Sequence, residues 1–147
     1  MAKVLAALSL ALCLAHPSRG FAKDWVPAVI APDGNGQVAF TTPSNNVDCL
    51  YTPDGGTPVY KPPGGKAELQ CDRAAPVYIR FLLGSKGRAT KIVNPGEQPC
   101  CSDVARLAYG SRWRVPPFTC ESSSEGLACR RDDGHGFVVS RTRAEVK

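Results

Sequence analysis

The sequence between residues 118 and 141 constrains the fold most, because its apolar residues and turn signals predict a three-stranded antiparallel meander. A two-residue turn at Ser124 and Glu125 would place Cys120 opposite Cys129 on the neighbouring strand. Side chains alternate between the two faces of a strand, so one face of this hairpin would carry Phe118, Cys120, Leu127 and Cys129.

The second turn of the meander allows two lengths, either Asp133 and Gly134 alone or a three-residue loop of Asp132, Asp133 and Gly134. Only the longer loop puts Phe137 opposite Cys129, since one residue fewer would turn Phe137 to the other face. We therefore predict the three-residue loop with Gly134 in the left-handed region. The expected buried face carries Phe118, Leu127, Phe137 and Val139, and the expected opposite face carries Thr119, Ala128, Arg130 and Val138.

Residues 1–22 have the three-part pattern of a secretory signal peptide, with Lys3, an apolar run over residues 4–15, and the small residues Gly20 and Ala22 before the expected cleavage site. A membrane-spanning helix needs about 20 apolar residues, so we expect no membrane anchor after cleavage. The sequence thus predicts a secreted or periplasmic protein. Its parts are a signal peptide at residues 1–22, an N-terminal extension at 23–36, a single disulfide-stapled β domain at 37–142 and a C-terminal tail at 143–147.

Cysteines indicate how such a chain would be stabilised. The mature chain would hold an even number of them, which predicts a disulfide framework in an exported protein: Cys49, Cys71, Cys100, Cys101, Cys120 and Cys129. A bridge between the adjacent Cys100 and Cys101 would close a strained ring, so each is expected to bond to a different partner. The meander favours a bridge between Cys120 and Cys129, and the other pairings stay open. Zinc prefers closely spaced pairs such as C-x-x-C, so neither a metal nor a cofactor is expected.

The charge of the mature chain is mild. Removing Lys3 and Arg19 from the 18 basic residues leaves 16 against 13 acidic ones, a net charge of +3. Acidic residues are also mixed among the arginines of the C-terminal third. We therefore expect a solvated surface of mixed charge and no nucleic-acid partner.

The middle of the chain indicates a mainly β fold with little helix, as a small antiparallel sheet or sandwich. A second hairpin is expected over residues 37–52, with Asn45 or Asn46 in the left-handed conformation at its turn. Residues 53–66 contain four prolines and four glycines and should form a loop. The remaining expectations are strands at residues 75–83, at a sheet edge, and at 89–93, and one short helix at 102–109.

Several motifs occur in order along residues 38–142: F-T-T-P-S-N-N-V-D-C at 40–49, L-A-Y-G at 107–110, Trp113, F-T-C at 118–120, G-L-A-C at 126–129, G-H-G-F at 134–137 and S-R at 140–141. In this pattern the chain resembles a family of small secreted bacterial domains of unknown function. The resemblance implies a small exported β domain and transfers no site. The chain departs from that pattern at Asn45, where glycine is common, and in the Cys100-Cys101 doublet with the long loop before it.

Four residues are candidates for binding: Trp113, Tyr109, Arg131 and His135. With Phe118, the two aromatic residues Trp113 and Tyr109 could form a platform for a sugar ring, although the same residues also fit a buried core. His135 is the one histidine of the mature chain, so hydrolytic chemistry near neutral pH would depend on it, with Glu121 or Glu125 as the carboxylate.

We therefore expect a non-catalytic binding or interaction module at the cell envelope or outside the cell. Its partner would be an envelope polysaccharide or an extracellular protein. The alternatives are a small secreted hydrolase that uses His135, for example with ribonuclease-like chemistry, and a secreted enzyme inhibitor. No catalytic residue is assigned.

Overall fold

The computed structural model describes residues 23–101 and 103–147, so the signal peptide predicted for residues 1–22 lies outside the described residues. The described chain is mainly β, as predicted, and forms two six-stranded sheets. In chain order the strands are β1 Val26–Ala28, β2 Val38–Thr41, β3 Val47–Thr52, β4 Glu68–Arg73, β5 Ile79–Leu83, β6 Thr90–Val93, β7 Ala105–Arg106, β8 Ser111–Val115, β9 Phe118–Ser123, β10 Gly126–Arg131, β11 Gly136–Val139 and β12 Ala144–Val146.

The first sheet has the strand order β1-β8-β9-β10-β11-β12 and contains the predicted meander. The three-residue loop is confirmed, because Phe137 pairs with Cys129 and the N–H of Arg131 donates to the carbonyl of His135 at 2.8 Å. Gly134 has a φ of 93°, as the left-handed position requires. The predicted inner face is confirmed, because four of its side chains are each at most 1% exposed: Phe118, Leu127, Phe137 and Val139.

Gly136 shows why the meander needs a glycine where β11 begins. A Cβ at this position would lie 2.1 Å from the carbonyl oxygen of Cys129 and 2.8 Å from the Cα of Arg130. Both contacts are with backbone, so no rotamer change could relieve them. Only glycine lets β11 approach β10 this closely.

The second sheet has the order β6-β5-β4-β3-β2-β7. Its first hairpin is confirmed, with Asn45 at a φ of 53° in the turn between β2 and β3. The edge expected at residues 75–83 is wrong, because β5 pairs with β4 on one side and with β6 on the other.

The helix predicted at residues 102–109 is also wrong. The segment instead contains β7, which runs parallel to β2. Leu107 is fully buried and its N–H donates to the carbonyl of Thr41 at 2.9 Å. Pairing with the sheet edge satisfies the backbone and buries the leucine, whereas an isolated helix of this length is marginal in water.

Both ends of the described chain join the first sheet. The predicted extension at residues 23–36 contributes β1, parallel to β8, and the predicted tail at 143–147 contributes β12, antiparallel to β11. Ala28, Ala144 and Val146 pack against the core from these strands. Each segment therefore supplies one edge strand of the first sheet.

The core lies between the two sheets. Phe81 of the second sheet stacks on Phe137 of the first, with ring centroids 4.7 Å apart. Trp113 lies 5.2 Å from Phe40 and 5.9 Å from Tyr51, measured between ring centroids. These pairs bury large aromatic surfaces from both sheets, so hydrophobic packing holds the sheets together.

Two disulfides cross neighbouring strands of the described chain, Cys49 to Cys71 and Cys120 to Cys129. The second is the bridge that the meander predicted. The expectation that all six mature cysteines are paired differs from the structure at Cys100 and Cys101, which are free thiols. The four bonded cysteines each face a partner directly across a strand pair, so none of these four is left to bond with the doublet. Within residues 23–101 and 103–147, no helix is long and apolar enough to cross a membrane.

Candidate functional site

A groove of about 660 Å³ lies on the face of the second sheet that points away from the core. We call it the outer groove. Strand alternation builds its floor, because the core takes every second residue of β3, β4 and β5 and the residues between them point outward. Two loop segments, residues 57–60 and residues 95–100, form its walls. Its volume falls within the range of about 300–1,000 Å³ that is usual for ligand sites.

The floor of the outer groove is apolar, although it lies on the face of the sheet that points away from the core. Leu50, Leu82 and Ile92 lie on the outward face of the sheet and are only half-buried. On the rim, Val59 is 96% exposed and Tyr60 is 43% exposed. A sheet face that meets only water normally carries polar residues at such positions. Apolar side chains gathered in a concave site indicate a surface that a ligand covers.

A buried ion pair forms one end of the outer groove. The carboxylate of Asp72 is fully buried and the side chain of Arg80 is 10% exposed. The Nε of Arg80 donates to Asp72 Oδ1 at 2.9 Å and its Nη2 donates to Oδ2 at 3.1 Å. This bidentate contact with Asp72 is the main reason that the pKa of Arg80 lies above its usual value, and burial of the guanidinium works against it.

Five further groups complete the hydrogen bonds of this ion pair, one of them the carbonyl of Gln98, which accepts from Arg80 Nη2 at 3.1 Å. Asp72 Oδ2 accepts from Gln70 Nε2 at 3.0 Å, from the hydroxyl of Tyr78 at 3.2 Å and from the backbone N–H of Cys100 at 2.9 Å. Arg80 in turn donates to Glu97 on the groove wall. The wall at residues 97–100 is therefore fixed to the floor through Asp72 and Arg80.

On the opposite wall, the hydroxyl of Tyr60 donates to Glu68 Oε1 at 2.6 Å. Burial of the phenol, followed by this bond to Glu68, raises the pKa of Tyr60 from 10.0 to about 12. Glu68 itself is 5% exposed and starts β4. The bond holds the loop that contains Tyr60 over the floor of the groove.

We expect the phenol of Tyr60 to titrate near pH 12, as read from the difference in tyrosinate absorbance between the wild type and the Tyr60→Phe variant. Because the folded pKa is raised, the stability that this group contributes is present below pH 10 and is lost as the pH rises towards 12. The Glu68→Gln variant should bring the midpoint part of the way back to 10. A wild-type midpoint near 10 would contradict the bond to Glu68.

The four candidate binding residues from the sequence do not meet in one site. Trp113 is 1% exposed in the core, whereas Tyr109 is 50% exposed and borders a separate cavity of about 140 Å³. Arg131 is 4% exposed, pairs with Asp133 and donates to the carbonyls of two residues in the β5–β6 turn, Gly84 and Gly87. Its role is to tie the two sheets together.

His135 is half-buried next to the loop of the meander, and neither predicted carboxylate is placed to assist it. Glu125 lies in the turn at the other end of β10, roughly 17 Å along the strand. Glu121 lies opposite Ala128 and binds Arg112 and Arg130 through its carboxylate oxygens. The carboxylate that does contact His135 is Asp133, which accepts from its backbone N–H at 3.2 Å.

Sequence analysis missed the outer groove, although part of its signal is visible in the strands. Leu82 and Ile92 fall on the same face as Arg80, a pattern that fits neither a core face nor a solvent face. What the sequence does not show is that two loops far apart along the chain close over these strands. Comparisons with protein-family models, with curated proteins and with solved structures find no match for this chain.

Proposed function

We propose that this protein is an exported, non-catalytic binding module that holds an extended segment of another extracellular protein in the outer groove. The observation that carries the proposal is the apolar floor beside a buried ion pair. Half-buried Leu50, Leu82 and Ile92 supply area for apolar side chains, and the polar groups at the end of the groove supply direction. This combination is typical of ligand sites.

The composition of the groove favours a peptide over a polysaccharide. Sugar rings stack on flat aromatic faces, and the lining of the groove has Tyr60 as its aromatic member while its floor is aliphatic. Aliphatic side chains of a peptide match such a floor. An envelope polysaccharide is therefore the weaker candidate ligand.

The charges of the groove favour a basic segment. Its lining carries Glu68 and Glu97, and Arg80 is already neutralised by Asp72. The side chain of Glu97 binds Arg80 but is still 73% exposed, so a bound cation can reach its carboxylate. A lysine or arginine next to aliphatic residues would complement both the carboxylates and the floor.

Export is part of the same proposal. Two disulfides in a small chain fit an oxidising compartment, and the signal pattern at residues 1–22 supplies the route. The resemblance to small secreted bacterial domains of unknown function points the same way. A secreted enzyme inhibitor would be a special case, in which the bound segment belongs to an enzyme. The hydrolase has less support, since Glu121 and Glu125 do not lie beside His135.

The binding proposal is tested by selection from a displayed library of random peptides on the immobilised mature protein. We expect enrichment of peptides that combine aliphatic residues with lysine or arginine. Leu82→Arg, which puts a cation on the floor of the groove, should weaken their binding by about tenfold or more. Titration calorimetry with a synthetic copy of the enriched peptide measures this change.

Val29→Arg is the matched control, because Val29 is 97% exposed and does not line the groove. It adds the same charge and should leave the affinity unchanged. Equal loss of binding in both variants would contradict a site in the groove. Enriched peptides that bind the Leu82→Arg variant as tightly as the wild type would also contradict it. So would a protein that binds envelope polysaccharide and no peptide.

A further inference from the structure

Cys100 and Cys101 are two adjacent thiols in a chain whose other described cysteines are bonded. They lie on the outward side of the second sheet, away from the disulfide of Cys49 and Cys71, and both are half-buried. Cys101 has a φ of 68°, in a region that side chains other than glycine seldom adopt. The doublet is therefore held in a specific and unusual backbone conformation.

Contacts on each side fix the doublet to the sheet. The backbone N–H of Cys100 donates to the buried Asp72 at 2.9 Å, and the thiol of Cys101 donates to the carbonyl of Cys49 at 3.7 Å. The two residues are adjacent in the chain and both are free thiols, so they can react with each other without exchange at a bonded cysteine.

We propose that Cys100 and Cys101 form a thiol–disulfide exchange site, which reacts reversibly with small external disulfides such as glutathione disulfide. The thiolate of Cys101 attacks one sulfur of the external disulfide and expels a thiolate, leaving a mixed disulfide on Cys101. Cys100 then attacks the sulfur of Cys101 and expels the second thiolate. The two cysteines lose two protons and two electrons, and the external disulfide is reduced to two thiols.

The order of attack follows from the surroundings of the two thiols. Several features raise the pKa of Cys100: the neighbouring thiol of Cys101, burial, and the nearby carboxylates of Asp72 and Asp48. A raised pKa makes Cys100 the poorer first nucleophile. Both cysteines border open space, Cys101 a cavity of about 350 Å³ and Cys100 the outer groove, but the carboxylate of Asp72 accepts from the N–H of Cys100 at 2.9 Å and disfavours a thiolate there.

Reversibility follows from the adjacency of the two residues. Consecutive Cα atoms lie about 3.8 Å apart across a trans peptide bond, whereas disulfides prefer a separation of about 4.4–6.8 Å. A bond between Cys100 and Cys101 would therefore be strained and easily reduced. Strained, accessible disulfides are the labile ones among protein disulfides.

Oxidation of the doublet would change the contacts that hold the wall of the outer groove. Bending the backbone to close the ring would displace the N–H of Cys100 from Asp72, and Asp72 is the partner of Arg80. Arg80 also holds the carbonyl of Gln98 on the groove wall at 3.1 Å. Oxidation of the doublet should thus loosen that wall while both structural disulfides stay intact.

The exchange site is tested by equilibrating the mature protein in buffers of different ratios of glutathione to glutathione disulfide, then alkylating it and measuring its mass. We expect two alkylated cysteines in reducing buffer and none in oxidising buffer, with no retained glutathione. Peptide mapping should assign both to Cys100 and Cys101. A stable glutathione adduct, two thiols that persist in oxidising buffer, or exchange at Cys49 or Cys120 would overturn the proposal.

Single variants test the order of attack. Cys100→Ser should stop the reaction at a glutathione adduct on Cys101, and Cys101→Ser should leave Cys100 reacting more slowly with the same disulfide. Equal rates in the two variants would overturn the assignment of Cys101 as the first nucleophile. Nuclear magnetic resonance of the wild type should show the Arg80 Nε–H signal shifting on oxidation, and an unmoved signal would overturn the link to the groove.

Discussion

Replacement of Asp72 by alanine is expected to lower the free energy of unfolding by about 3–5 kcal/mol, because it leaves the guanidinium of Arg80 buried without its partner. Besides Arg80, three other groups lose an acceptor on the same carboxylate, those of Gln70, Tyr78 and Cys100. Urea unfolding followed by far-ultraviolet circular dichroism measures the change.

Glu97→Ala is the matched control for the Asp72 variant. It also removes a carboxylate bound to Arg80, but that side chain is 73% exposed, and such ion pairs contribute about 0–1 kcal/mol. The double change Asp72→Leu and Arg80→Leu removes both buried charges and should cost less than Asp72→Ala alone. A cost below about 1 kcal/mol for Asp72→Ala would show that the ion pair is solvated and that the end of the groove is open.

The register of the meander could be predicted because the sequence offers few consistent choices. One residue more or fewer in the loop that ends at Gly134 would turn Phe137 to the opposite face. Only the three-residue loop buries Phe137. The hairpin around Asn45 was predictable for a similar reason, since asparagine tolerates the left-handed conformation that its turn needs. In both cases a single local constraint decides the geometry.

The edge strands β1, β7 and β12 could not be predicted in the same way. Each has only two or three residues, too few for an alternating pattern to be visible. They join their sheets chiefly through backbone hydrogen bonds, which are the same for any sequence. For β1 and β7, the neighbouring strand that offers those bonds is remote along the chain, so its position becomes known only when the fold is complete.

The cysteine doublet shows why an even number of cysteines is not enough to predict that all of them form disulfides. An even number of cysteines in an exported chain predicts complete pairing only if each cysteine can reach a partner. Here the registers of β3 with β4 and of β9 with β10 place Cys49 opposite Cys71 and Cys120 opposite Cys129. Both local pairs are satisfied across a single strand spacing, so none of these four cysteines is left to bond with Cys100 or Cys101.

The sequence could not show which candidate binding residues share a surface, because residue type does not reveal which way each strand faces. Trp113 and Arg131 are typical of binding surfaces, but both fall on the core side of the first sheet. Leu82 and Ile92 are typical of cores, yet they lie on the outward side of the second sheet. In the structure, the residues typical of a binding surface lie in the core, and the residues typical of a core lie on the surface.

Trp113→Ala is expected to lower the free energy of unfolding by about 3–5 kcal/mol, as truncation of a large buried aromatic side chain does. Trp113 is 1% exposed and packs on Phe40 and Tyr51 of the opposite sheet, so its loss opens a cavity at the contact between the sheets. Trp113→Phe keeps part of that contact and should cost less. Circular dichroism is the proper measurement, since Trp25 would still contribute to fluorescence.

Comparison of Tyr109→Ala with Trp113→Ala tests whether these aromatic residues pack in the core or form a platform for a ligand. Tyr109 is 50% exposed, so its truncation should change the free energy of unfolding by only about 0.5 kcal/mol or less. If the two aromatic residues instead formed a platform for a sugar ring, both variants would fold normally and both would lose the same ligand. A stable Trp113→Ala protein would therefore contradict the packing of Trp113 on Phe40 and Tyr51 between the two sheets.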